Sequence, residues 1–241
     1  MITSKKLVLS SLLLSSGLVF SGAASALTLN TSGLKADSVL TFTIAAFGSS
    51  TAAKISFNPI GNMTRLADVT VIDPETNEPA QVPQFNQPVT KADIKIGWDL
   101  SITPTSGAAV RSGLQIIRGN LSATLANFNV DFVKKIVYAD IFTATGTTPQ
   151  AAIYTFKDNG DLKISFKGLV LNQSQSISNL VFTPQTQDIL ATSLSLSGPL
   201  KATLATQDWG TIAVKVTSYK RSPAVSNKPL TPADVPAVAA P

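Results

Sequence analysis

The chain has no cysteine and no histidine in its 241 residues. Without cysteine there are no disulfides, which small secreted domains use to offset a thin core. Without either residue the Ser-His-Asp and Cys-His forms of nucleophile activation are excluded, and so are the usual zinc sites. Haem cannot be held by histidine or cysteine, which leaves tyrosine and methionine as the rarer ligands. General acid–base chemistry would fall to carboxylates, lysine or tyrosine. No cofactor and no metal are expected. Charge is sparse as well, at 14% of residues with a net +5. The basic residues stand singly or in pairs, as at Lys134-Lys135 and Lys220-Arg221. Nucleic-acid binders gather them on one face with aromatics between, so a solvated surface is expected here and no nucleic-acid partner.

Only the start of the chain carries a long apolar run. Lys5 and Lys6 precede Leu7 to Phe20, and Ala24-Ser25-Ala26 follows as a small-residue site, with the cut expected before Leu27. That is the layout of a secretory signal peptide over residues 1–26. A membrane anchor is the alternative, but the run is shorter than the ~20 residues a spanning helix needs. The expectation is export, to the periplasm or the exterior, with no transmembrane helix in the mature chain.

Residues 27–221 read as one all-β domain. Ala92 to Thr103 alternates Ala92, Ile94, Ile96, Trp98, Leu100 and Ile102 with polar residues, as expected of one strand with a buried face. Trp98 is in phase with that face and reads as core. Leu121 to Leu125 repeats the pattern, and Phe128, Val130 and Phe132 continue it in the opposite phase. The slip at Ala126-Asn127 predicts a β-bulge or a short turn. Ala152 to Gly168 reads as a hairpin around Asp158-Asn159-Gly160-Asp161, since Asn-Gly suits a primed turn. Calcium is the functional alternative there, but two aspartates fall short of its six to eight oxygens. Further strands are expected at Val39–Ala45, Lys54–Asn58, Lys135–Phe142, Leu194–Leu196 and Gly210–Tyr219, with room for one or two short helices near 172–194. Asp73 to Pro88, with four prolines, reads as an extended surface loop. Ser222 to Pro241, rich in proline and alanine, reads as a disordered tail.

Closely spaced strands with few helix patterns indicate an antiparallel β-sandwich or a barrel-like fold. An outer-membrane barrel is the runner-up, but aromatics make up only 7% of the chain, little for the girdles such barrels carry.

The run Leu121 to Asp140, with Val130-Asp131 and then Val137-Tyr138-Ala139-Asp140, resembles a segment of secreted proteobacterial β-rich proteins of unknown function, many of which carry a PEP-CTERM sorting signal. Asp208-Trp209-Gly210-Thr211-Ile212 resembles the run that opens a late strand in them. Haem-uptake domains of the cell surface have a similar strand–turn–Tyr-Ala-Asp pattern. The resemblance covers about Leu121 to Ser218 and implies an exported β-rich protein without known enzymatic activity. The Pro-Glu-Pro motif, apolar span and basic end of the sorting signal are missing here, which points to a soluble fate.

Three functions are open to such a chain. The first is a non-enzymatic structural or interaction protein of the cell envelope or extracellular matrix. The second is a carbohydrate- or small-ligand-binding module, with Trp209 as an aromatic platform at a strand start and Tyr138 and Asp140 as contacts at a sheet edge. Their structural alternatives are a ring capping the end of the fold and a fixed turn. The third is a hydrolase with paired carboxylates, for which no spacing singles out a pair. The expectation is binding or building rather than catalysis, with a glycan or an envelope protein as partner.

Overall fold

The computed structural model describes residues 25–73, 76–96, 102–159, 163–167 and 170–238. The expected leader (all but its last two residues), Trp98 and the Asn-Gly step at Gly160 lie outside them. Eighteen elements follow in chain order: β1 (Ser25–Asn30), β2 (Leu34–Thr41), α1 (Ile44–Ala52), β3 (Ile55–Gly61), β4 (Thr64–Arg65), β5 (Val69–Ile72), β6 (Pro79–Val82), β7 (Gln84–Pro88), β8 (Lys91–Ile96), β9 (Ile102–Arg118), β10 (Leu121–Asp131), β11 (Ile136–Thr143), β12 (Gly146–Asp158), β13 (Lys163–Lys167), β14 (Val170–Phe182), α2 (Pro184–Ser193), α3 (Pro199–Thr206) and β15 (Thr211–Lys220).

One antiparallel sheet runs β1-β8-β9-β10-β11-β12-β14-β15-β2-β7-β4, with β3 added on β9 and β13 on β14; β5 and β6 form a separate ribbon. The sheet curls into a half-barrel, because its two distant halves are joined by two residues. β7 passes directly into β8 through Val89-Thr90. The Val89 N–H donates to Ala36 of β2 and the Thr90 N–H to Ala108 of β9, each at 2.8 Å. The expected all-β, barrel-like class is therefore the fold found.

The curl follows a line of bulges. Register shifts occur on β10 between Ala126 and Asn129 and on β12 opposite Ala139–Ile141. Left-handed residues stand along the line: Arg111 in β9 (φ 62°), Asn127 in β10 (φ 55°) and Gln150 in β12 (φ 43°). Extra residues on one strand bend it and sharpen the twist. The slip read at Ala126-Asn127 is this bulge.

The helices close one end. Thr43 caps α1 by accepting from the Ala46 N–H, and Thr183 caps α2 by accepting from the Thr186 N–H ahead of Pro184. Both are N-cap residues of the preferred kind, and a proline in the first turn loses no bond. Phe42, Leu190, Leu194, Leu196, Leu204 and Trp209 are buried in the core at this end.

Several expectations are corrected. Ala92–Thr103 is not one strand but the two arms of the β8–β9 hairpin, with Ile96 opposite Ile102; the alternation continues through the reversal and conceals it. The hairpin of Ala152–Gly168 is absent, since β12 and β13 lie end to end along β14, Asp158 opposite Ile177 and Lys163 opposite Ser174. The two strands thus follow one line and do not pair with each other. Asp73–Pro88 holds β6 and β7, with Val82 and Phe85 fully buried. Pro79 and Pro88 occupy strand ends, where a missing donor is tolerated. Leu194–Leu196 is the turn after α2, and α1 and α3 arise where no helix was expected.

The expected disordered tail is also corrected. Leu230 is 3% exposed and packs with Ile60, Ala126 and Phe142 on the outer face of the sheet. Its N–H and C=O both bond to the Asn127 side chain, Arg111 pairs with Asp234, and Gln115 donates to the Pro236 carbonyl. A single apolar anchor with paired backbone groups suffices to order a segment whose composition reads as disorder. Replacement of Leu230 by alanine should cost about 2–3 kcal/mol, read as a lower urea midpoint with an unchanged slope; an unchanged midpoint would mean that the segment does not dock in solution.

Candidate functional site

Away from the helices, the inside of the curl is not filled. A hollow with about 80 Å³ of free space, open at its mouth, lies between two walls. Like most ligand sites it has a predominantly apolar lining. One wall is formed by β7, β2, β15 and β14, whose inward side chains fall into register as rows. Phe85, Leu40, Ile212 and Ile177 are successive partners, all buried, and of these Ile212 lines the hollow. One step toward the mouth the row is Gln87, Ser38, Val214 and Gln175. Val89 and Val216 stand nearer the mouth. The facing wall carries Ile94 of β8, Gly107 of β9, Phe128 and Val130 of β10, and Phe132 just after it.

The wall at Gly107 is bare. A Cβ built there would meet only the Phe132 ring, at 3.9 Å. Across from it, Gln87 and Ser38 are 4% and 7% exposed, and neither side chain has a hydrogen bond among the described residues. The alternate residues of β7 are bonded through their amide nitrogens, Gln84 to Thr41 and Asn86 to Asp37, while the Asn86 oxygen is buried without a partner.

Behind the facing wall, Asp93 of β8 ties three strands together. It accepts from Thr28 of β1 at 2.6 Å and from Ser106 of β9 at 2.5 Å, with Lys91 at 3.7 Å. The Ser106 hydroxyl, then the Thr28 hydroxyl, hold its carboxyl below the ordinary carboxylate value.

The three residues expected to contact a ligand lie elsewhere. Trp209 is not an exposed platform: it is 5% exposed, 4.9 Å from the Phe182 ring, and its indole N–H is buried without a partner. It lines a smaller internal space with Phe42, Tyr154 and Leu204, where burial pushes the Tyr154 phenol well up. The neighbouring Asp208 explains the motif structurally. Its carboxylate accepts from the Leu180 and Gly210 N–H groups, and its carbonyl accepts from Thr43. Asp140 is fully engaged: one oxygen accepts from Asn127, the other from the backbone and side chain of Gln150. Tyr138, two residues earlier, is half-buried on the same outer face, while Val137, Ala139 and Ile141 face inward. The structure thus keeps Tyr138 and Asp140 on one face and sets Trp209 apart, and none of the three reaches the hollow.

Sequence reasoning missed Gln87, Ser38 and Gln175. The available signal was polar residues in apolar phase, Phe85-x-Gln87-x-Val89 and Ala36-x-Ser38-x-Leu40. Among the described residues no three carboxylates gather as a metal site would need, and no helix is long and apolar enough to cross a membrane.

No family model matches the chain, and no curated protein matches it. Among solved structures, it is similar to the C-terminal domain of HtaA from Corynebacterium glutamicum, at 12% identity over 77% of this chain and 98% of that one, with a TM-score of 0.36.

The Asp93 clamp has a pH signature. A carboxyl whose folded pKa is depressed adds stability above its unfolded value, near 3.8, and loses it as pH falls through the folded pKa. Asp93→Asn should lower stability by about 1 kcal/mol at neutral pH and flatten the acid limb of melting temperature against pH; an acid limb identical to wild type would remove the clamp as its source.

Proposed function

We propose that this chain is an exported, non-catalytic binding protein that works in the cell envelope or outside the cell and takes a small, largely apolar molecule into the hollow of its half-barrel. The hollow carries the reading. A domain built only to pack or to scaffold gains from filling such a space, since packed interiors leave few voids larger than a water. Here the wall is lined by Val, Ile, Phe and Ala around an opening, and a glycine stands where a side chain would fill it. Among the readings open to the sequence, this favours the small-ligand module over a purely structural part. A glycan is disfavoured by the same lining, which offers apolar side chains and few polar ones. Export rests on the leader of residues 1–26; removing it leaves Leu27 to Asn30 of β1 paired with Ile94 to Lys91 of β8.

The mature chain should bind the uncharged dye N-phenyl-1-naphthylamine with micromolar affinity and a blue-shifted emission. Gly107→Phe, which fills the hollow from a position with open space, should abolish the signal without lowering the melting temperature. Absence of dye binding, or binding unchanged in Gly107→Phe, would overturn the reading. N-terminal sequencing of the protein from its native host should begin at Leu27; a chain that retains residues 1–26 would refute export by cleavage.

A further inference from the structure

We infer that the hollow selects a molecule carrying one uncharged hydrogen-bonding group, an alcohol or a primary amide, set within an otherwise apolar body. This rests on the hollow being a binding site and adds the chemistry it recognises.

Position comes first. Gln87 is the ladder partner of Ser38, Ser38 of Val214, and Val214 of Gln175. With neighbouring strands ~4.8 Å apart, the polar row spans roughly 14 Å of wall. On one side of it is the buried apolar row of Phe85, Leu40, Ile212 and Ile177, of which Ile212 lines the hollow, and on the other are the apolar Val89 and Val216. A ligand that spans the hollow from Val89 and Val216 to Ile212 therefore passes the row.

Satisfaction comes second. Gln87 and Ser38 are more than nine-tenths buried, face the hollow, and have no side-chain partner among the described residues. Their polar atoms still touch the open space of the hollow, so a ligand that displaces solvent there must replace its hydrogen bonds or leave the groups unpaired, which costs free energy. An oxygen of the ligand would accept from the Gln87 amide nitrogen, and its hydrogen would be donated to the Ser38 hydroxyl or the Gln87 amide oxygen.

Charge comes third. Among the described residues no Asp, Glu, Lys or Arg lines the hollow. A carboxylate or an ammonium drawn to the row would lose its water without gaining a counter-charge, which is costly. A plain hydrocarbon would enter but leave Gln87 and Ser38 unpaired. A neutral alcohol or amide avoids both penalties.

The test is displacement of bound N-phenyl-1-naphthylamine from the mature chain by three probes of matched chain length: decanol, decane and decanoate. Decanol should displace the dye at about tenfold lower concentration than either of the others, the scale of one satisfied buried hydrogen bond. The double variant Gln87→Leu, Ser38→Ala removes both polar groups. It should still bind the dye, melt no lower than wild type, and lose the preference for the alcohol. Equal displacement by all three probes, or a preference that survives in the double variant, would overturn the inference while leaving the hollow as a site. If the dye itself fails to bind wild type, the binding reading falls and this inference with it.

Discussion

The shape of this protein turns on one buried amide. Asn127 sits in the left-handed region at the bulge of β10, and its side chain makes four hydrogen bonds to three residues. Its oxygen accepts from the N–H groups of Arg111 and Leu230, and its nitrogen donates to Asp140 and to the Leu230 carbonyl. Two of these partners are neighbours in the sheet, and Leu230 belongs to the strap that lies on it. Gln150 completes the set, bonding to both the Asn127 carbonyl and the Asp140 carboxylate. Bulged strands leave backbone groups out of the ladder, and buried groups of that kind need partners elsewhere. The amide and the carboxylate supply them, so the bend is held at a fixed place rather than spread along the strands.

From that bend the division of the interior follows. On the helix side, aromatic rings fill the space: Phe42 stands 4.7 Å from Phe57, and Tyr154 4.4 Å from Phe182. On the other side no helix enters among the described residues, and the two walls come together at the Val89-Thr90 crossing. The same sheet thus provides a packed half and an open half. The C-terminal strap reinforces the bend from outside, with Leu230 seated where Gly113 leaves room; a Cβ there would come within 2.9 Å of it.

What the sequence revealed is what period-two alternation can carry. The all-β class, the bulge at Ala126-Asn127 and the late strand beginning near Gly210 were readable because each is a local pattern. Partnership was not readable. Ala92–Thr103 kept its phase through a reversal, and the Asn-Gly step suggested a hairpin where β13 instead continues the line of β12. The same limit governed the site. Asp140 and Trp209 stand out as residue types, yet hydrogen bonding and burial commit both to the fold. Gln87 draws no attention by type, and its meaning depends on Ser38 lying 49 positions away in sequence and one strand away in space.

Two departures from good packing face each other across the hollow, and they are of opposite kinds. On β9 a side chain is missing, at Gly107; on β7 and β2 side chains are present but unpaired, at Gln87 and Ser38. Either alone reads as a local imperfection, and natural cores carry a few. Selection for stability acting on this half-barrel would correct both with single changes, a larger residue at 107 and apolar ones at 38 and 87, each compatible with its strand. A core that keeps both faults, aligned on the two walls of one opening, keeps space and hydrogen-bonding capacity in the same place. That conjunction is what the proposed binding calls for, since a molecule that filled the space would recover the stability given up in the empty protein.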